Sequence, residues 1–356
     1  MRPFSLALSI LSNRLGRVPR PSWCTYLVCY RCNARCPMCD SWRVRPGAEM
    51  TPEQVAVVFG RIGRLDVVRL TGGEPFLRTD LLEIAEAVLA QSRPSVLHIT
   101  TNGSFPDRIV EFATRFSHPR ILRFMVSFDG LQTEHDRSRG DEVLFETARA
   151  SVRRLAELRS RWRIEVSVNH TVISPQSLLD NAGLREEFGR LGVEVHSVLA
   201  YADSAMYGAK LRGTKAEHLI VPDGYPLHPA LDGADVAGFV EDELRRVGEY
   251  RDPLLRRGKR YYLRGLKARI GGQADARPRP RCVALRSHVR LLPDGSVPVC
   301  QFNTETVGNL LTDSFDAVWH NASARESRAW VDNCPGCWAE CEVMPSAIFT
   351  GDIAVG

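Results

Sequence analysis

The sequence predicts an α/β chain: a partly closed parallel barrel of six β–α units, a partial (β/α)6 barrel, over residues 24–200, with a small cysteine-rich domain at 282–356. Two patterns carry this expectation. Between 24 and 200, short β-branched apolar runs alternate with longer stretches of helical periodicity, and right-handed crossovers would curl such repeats into a barrel. The ten cysteines are clumped, five from Cys24 to Cys39 and five from Cys282 to Cys341, which places one ligand centre near each end and implies a reducing, cytoplasmic setting.

Residues 1–23 form an N-terminal extension whose apolar run, Phe4 to Leu11, fits a docking helix at the domain edge. A peripheral membrane-contact helix and a signal segment are the alternatives. Strands are expected at Tyr26–Cys29, Val67–Thr71, Val96–Thr100, Ile121–Phe128, Ile164–Val172 and Val193–Leu199, with helices near 51–62, 80–92, 106–116, 141–160 and 177–191. Thr51, Pro52 and Gln54 supply the N-cap, first turn and capping box of the first helix. Residues 201–281 break the rhythm and read as a bridging region with one charged helical stretch near 238–260. The string from Arg277 to Arg281 reads as a stiff, solvated linker.

Composition excludes some classes. With 44% hydrophobic residues the chain can bury a sizeable core, and no run reaches the roughly 18 apolar residues of a spanning helix. The net charge of +5 comes from 47 basic and 42 acidic residues, a mixed surface with no strong nucleic-acid signal.

The first cysteine clump contains Cys32, Cys36 and Cys39, and the loop follows a strand, so its thiols would emerge at a strand's C-terminal end, where barrels place their chemistry. Three thiolates can hold three irons of a [4Fe–4S] cubane and leave the fourth open to a reactant. A zinc site and buried free thiols are the alternatives.

This CxxxCxxC loop resembles that of the radical S-adenosylmethionine (SAM) superfamily, and other motifs match in order. Gly72-Gly73-Glu74-Pro75 is similar to the family's GGEP, Thr101-Asn102-Gly103 to its TNG and Ser127-Phe128-Asp129-Gly130 to its S-x-D-G strand end. His135 to Gly140 looks like HDxxRG. The resemblance implies a TIM-like barrel, a SAM-binding [4Fe–4S] cluster on Cys32, Cys36 and Cys39, and SAM held by Met38, Gly72, Gly73, Glu74, Pro75, Asn102, Ser127, Asp129, Arg139 and Asn169. In it the glycines would let the backbone approach the SAM methionine, and the Glu74 carboxylate would meet the SAM ammonium. Arg139, or Arg137 beside it, would fork onto the SAM carboxylate.

Cys282, Gly295 and Cys300, followed by Cys334, Cys337 and Cys341, resemble a SPASM/twitch extension, with five cysteines in place of seven. That implies one auxiliary [4Fe–4S] cluster on Cys282, Cys300 and two of the last three. The turn at Leu292–Ser296 would hold Cys300 on a strand against Cys282. The expected activity is reductive cleavage of SAM to a 5′-deoxyadenosyl radical, fed by an external flavodoxin- or ferredoxin-like one-electron reductant, and hydrogen abstraction from a substrate. A peptide is the leading expectation and a lipid or other small molecule the alternative. A non-catalytic metal-binding module is the reading from another class, and it has no need of the GGEP loop.

Overall fold

The computed structural model describes residues 3–213, 216–273 and 275–354. In chain order it runs α1 (Pro3–Arg14), β1 (Trp23–Cys29), α2 (Pro52–Ile62), β2 (Val67–Gly72), α3 (Leu81–Ser92), β3 (Val96–Thr101), α4 (Pro106–Arg115) and β4 (Leu122–Phe128). Next come α5 (Gln132–Arg139), α6 (Leu144–Trp162), β5 (Glu165–Val172), α7 (Pro175–Arg190) and β6 (Glu194–Leu199). The bridging region holds α8 (Met206–Arg212), α9 (Gly233–Arg246) and α10 (Pro253–Ile270). The C-terminal part comprises β7 (His288–Leu291), β8 (Ser296–Pro298), β9 (Thr306–Asn309), α11 (Phe315–His320), α12 (Ala322–Asn333) and α13 (Glu340–Thr350).

All six expected β–α units are present, in one parallel sheet of order β6-β5-β4-β3-β2-β1-β7. The sheet gains a seventh strand that the sequence pattern did not show: His288–Leu291, within the cysteine-rich segment, pairs in parallel with β1. The charged stretch near 238–260 is also revised. It splits into α9 and α10, because Asp252 caps a new helix with Pro253 in its first turn, and proline's fixed φ suits a helix start.

Burial alternates along β3, β4 and β5. Val68, Leu70, Leu97, Ile99, Phe124, Val126 and Val168 are fully buried under the helices, whereas Arg69, Thr71, His98, Thr100, Met125, Ser127, Asn169 and Thr171 face inward and stay half-buried. The barrel therefore encloses a polar chamber. Its lateral gap, between β6 and β7, is covered by helices. Tyr250, just ahead of α10, stacks on His196 of β6, and Glu342 of α13 bonds His288 and Arg290 of β7.

The apolar N-terminal run forms α1 and docks on α13: Asn13 donates to Ser287 Oγ (2.7 Å) and to the Phe349 carbonyl (2.9 Å). Met1 and Arg2 lie outside the described residues. Leu8, Leu11 and Leu15 remain exposed. Among the described residues no helix is long and apolar enough to cross a membrane.

Candidate active site

The chain between β1 and α2 carries Cys32, Cys36 and Cys39, whose side chains gather with Ala34, Met38 and Leu144 in one small cluster at the C-terminal mouth of the barrel. Burial pushes the Cys32 thiol up to about 11 and the Cys36 thiol up to about 12, and raises Cys39 as well. These are neutral thiols at pH 7 that become thiolates against bound iron.

The neighbouring loops clamp this one. Gly73 lies so close that a Cβ there would stand 2.0 Å from the Arg31 carbonyl oxygen and 2.4 Å from that of Tyr30. Gly72, at φ 132°, would place a Cβ 2.2 Å from the Cys29 carbonyl oxygen. Both glycines are thus required by backbone packing against the cysteine loop, a role the sequence resemblance did not assign. Asn102 Nδ2 donates to Asn33 Oδ1 (2.9 Å) within the same loop. The Gly72 carbonyl accepts from the Tyr207 hydroxyl of α8 (3.0 Å).

Two of the residues expected to hold SAM carry bonds within the chain. The Glu74 carboxylate is fully buried and accepts three bonds from its own chain, from Thr101 Oγ1 (2.7 Å), Phe76 N (3.0 Å) and Asn102 N (2.6 Å). It ties β2 to β3. Burial raises its pKa to about 7 against the pull of these donors. Pro75, also buried, opens the short turn that follows.

Arg139 is the second. Its Nε and Nη2 both bind Asp129, at 2.6 Å each, and Ser138 Oγ adds a bond of 2.7 Å to the same carboxylate. The Arg139 fork thus closes on a buried internal partner. The Arg137 fork closes on Glu134. Burial would raise the Asp129 pKa, but Arg139 and His135 hold it below the usual carboxylate range. Arg139 stays close to the cysteine loop: its carbonyl accepts from Arg35 N (2.7 Å), and its charge acts on Cys36 and Cys32. Ser127 and Asn169 are register partners on β4 and β5, both facing the chamber. Asn169 bonds Thr171 Oγ1 (3.2 Å).

At the other end, Cys282, Cys300, Cys334 and Cys337 line one cavity of about 390 Å³, walled by Phe302, Trp330 and Trp338. Cys341 does not line it; its Sγ donates to Gln301 Oε1 (3.0 Å) and sits by Arg290 and Arg69 on the chamber side. Cys300 lies in the loop after β8, and β8 pairs with β9, not with a strand bearing Cys282. The turn at Leu292–Ser296 is formed, with Leu292 N bonded to Ser296 O (2.9 Å). Among the described residues no three His, Cys, Asp or Glu side chains converge on a point that could hold one metal ion. The Arg277–Arg281 string is not free linker. Arg279 pairs with Asp223 and Arg281 with Asp332, beside this cavity.

The radical SAM superfamily profile matches residues 26–180, and that of the SPASM iron–sulfur cluster-binding domain matches 282–341. The chain belongs to the radical SAM superfamily. It is a radical SAM enzyme with SAM and [4Fe–4S] clusters as cofactors. GTP 3′,8-cyclase of Streptomyces coelicolor is 28% identical over 77% of this chain and 76% of its own length. Pre-heme d1 synthase of Dinoroseobacter shibae is 32% identical over 53% of this chain and 45% of its own. A probable GTP 3′,8-cyclase of Thermococcus kodakarensis is 37% identical over 29% of this chain, which spans about a third (33%) of that relative. Streptococcus suis SuiB bound to S-adenosylmethionine has the same fold, with a TM-score of 0.61 at 12% identity over 88% of this chain and 68% of that one. Native anSMEcpe with bound AdoMet gives 0.59 at 17% over 86% and 82%.

The sequence reading missed the chamber lining: Arg69, His98, His196 and Arg290. A polar residue inserted every second position in an otherwise apolar strand, as in Val68-Arg69-Leu70 and Leu97-His98-Ile99, was the available signal.

Proposed function

We propose that this radical SAM enzyme abstracts a hydrogen atom from a small polar molecule held inside the barrel, and that its single auxiliary cluster is carried by Cys282, Cys300, Cys334 and Cys337. The observation that carries this reading is the stacking of three parts along one axis. The cysteine loop lies at the strand C-termini, the half-buried polar chamber lies beneath it, and helices α10 and α13 close the lateral gap.

When bound, the cluster and SAM supply a 5′-deoxyadenosyl radical, and the auxiliary cluster supplies a one-electron partner for the substrate. The residues of the chain do the rest. Cys32, Cys36 and Cys39 hold the first cluster, with Met38 packed among them. Gly72, Gly73 and Asn102 fix the loop that carries those thiols, and Arg139 places a compensating charge beside them. Ser127 and Asn169 line the upper chamber, where SAM and substrate would meet. An external flavodoxin- or ferredoxin-like protein would deliver the electron.

A small molecule takes the place of the peptide expected from the sequence. The curated relatives that align with this chain carry names with small-molecule products or substrates, GTP and pre-heme d1. The likeness to peptide-bound structures is at 12–17% identity and concerns the fold alone. The test is anaerobic incubation of reconstituted enzyme, SAM and dithionite with cell extract split by ultrafiltration. Stimulation of 5′-deoxyadenosine formation by the small-molecule filtrate is expected. Stimulation confined to the retained macromolecules would refute the small-molecule reading.

A further inference from the structure

Below the cysteine loop, the chamber floor is built from register partners on adjacent strands. Thr25 of β1 stands opposite Arg69 of β2 and Arg290 of β7, and Arg69 stands opposite His98 of β3. All therefore share the inward face. His98 interacts electrostatically with His196 from β6, across the barrel, which places both rings in the interior. The first turn of α13 brings Glu340, Cys341 and Glu342 to the same region.

The charges here do not balance. Arg290 (7% exposed) gives its guanidinium to Glu342 at 2.6 Å, with His288 on the other oxygen of that carboxylate. Lys259 of α10 is buried against Glu340 at 2.6 Å. Both carboxylates are thereby used, and Arg69 is left over. No hydrogen bond or ion pair reaches Arg69 from any described residue, and its buried Nε has no acceptor. Arg139 is paired with Asp129 and Arg185 with Glu243, and the buried guanidiniums of Arg269 and Arg328 donate to backbone carbonyls. Burial lowers the pKa of Arg69 against the pull of Cys341, Glu340 and Glu342, none of which bonds it, and Arg290 adds to the lowering. His98 carries a second orphan, a buried Nδ1 with no partner, and burial together with Arg69 keeps its ring neutral. A half-buried guanidinium and a neutral imidazole, both unpartnered and side by side, form a receptor for an oxyanion: the first donates charge-assisted bonds, the second one neutral bond.

We propose that Arg69, with His98 beside it, binds an anionic group of the substrate, a carboxylate or a phosphate, at the floor of the chamber. Arg69 lies three residues before Gly72, which at roughly 3.3 Å per residue puts the anion about 10 Å below the cysteine loop. The substrate is then an anionic molecule of about that length, anchored at one end and presenting its reacting carbon to the mouth. This rests on the proposed small-molecule reading and names the substrate class for it.

The experiment is titration of anaerobically reconstituted protein at low ionic strength with inorganic phosphate and, separately, acetate, read by calorimetry and by the rise in Tm. Wild type should bind at least one of them saturably. Arg69→Gln should bind it at least tenfold more weakly, Arg69→Lys should retain part of the affinity, and Arg153→Gln on the outer face of α6 should match wild type. Without ligand, Arg69→Gln should be as stable as wild type or more so, because an unpaired interior charge is gone. Binding of phosphate alone would support a phosphate ester, and binding of acetate alone a carboxylate. Binding of neither, or binding unchanged in Arg69→Gln, would overturn the inference. So would an Arg69→Gln protein that is less stable without ligand and whose Arg69→Lys counterpart binds no better. Deoxyadenosine formation by the same wild-type preparation separates the two proposals. A protein that makes it yet binds no anion sinks only the anion site, and one that binds anion but makes none sinks the radical reading.

Discussion

Asp129→Asn should be among the most damaging single changes in the barrel. Asp129 is fully buried and Arg139 is 6% exposed, and two bonds of 2.6 Å join them. Removing one charge of such a pair strands the other in a low-dielectric interior, which costs about 3–5 kcal/mol. Breaking the Ser138 bond and misorienting Arg139, whose carbonyl anchors Arg35, compounds the loss. Arg139→Gln alone should cost a similar amount, and the double variant should recover much of it, with a coupling of about 2–3 kcal/mol in a double-mutant cycle. The assay is anaerobic denaturant unfolding of the four proteins, with SAM binding measured on each. Additive losses, or an Arg139→Gln protein of normal stability that has lost only SAM affinity, would refute the internal-pair account and restore the forked SAM contact.

Three further outcomes are expected. Gly73→Ala drives a methyl group into the Arg31 and Tyr30 carbonyls, so the first cluster should be lost or displaced, with deoxyadenosine formation down about 100-fold or more and the loss visible by EPR. Glu74, with a pKa raised to about 7 in the folded chain, is protonated there while ionised in the unfolded chain between about pH 4.5 and 7. Its contribution is therefore fully present below pH 4.5 and is lost as pH rises to 7, on the order of 3 kcal/mol. Glu74→Gln should flatten that slope in a pH series of unfolding midpoints. Cys341→Ser should keep both clusters, whereas Cys334→Ser or Cys337→Ser should lose about four of about eight irons, as measured by iron analysis and Mössbauer spectroscopy.

The barrel was legible because its signals are local. Alternation of apolar runs and capped helices such as Thr51–Ile62 is written in consecutive residues. The cysteine loop and GGEP motif were legible as motifs, and the bonds their residues make within the chain were not. Whether Glu74 faces a ligand or three backbone and hydroxyl donors from β3 and its own turn depends on long-range packing. The Asp129–Arg139 pair illustrates the same limit: each residue resembled a SAM contact by itself, and only their proximity shows that they satisfy each other. Strand β7 went unread because four residues in a cysteine-rich segment carry too little pattern, and its place beside β1 is a matter of topology. The choice among Cys334, Cys337 and Cys341 likewise turned on which thiols share a cavity.

The most direct test of the central claim is anaerobic iron and sulfide analysis of reconstituted protein, coupled to dithionite-driven formation of 5′-deoxyadenosine, in wild type and in the Cys32→Ala/Cys36→Ala/Cys39→Ala variant. About eight irons in wild type, about four in the variant, and deoxyadenosine from wild type alone are expected. Deoxyadenosine at equal rates from both proteins, or none from fully reconstituted wild type, would contradict the account.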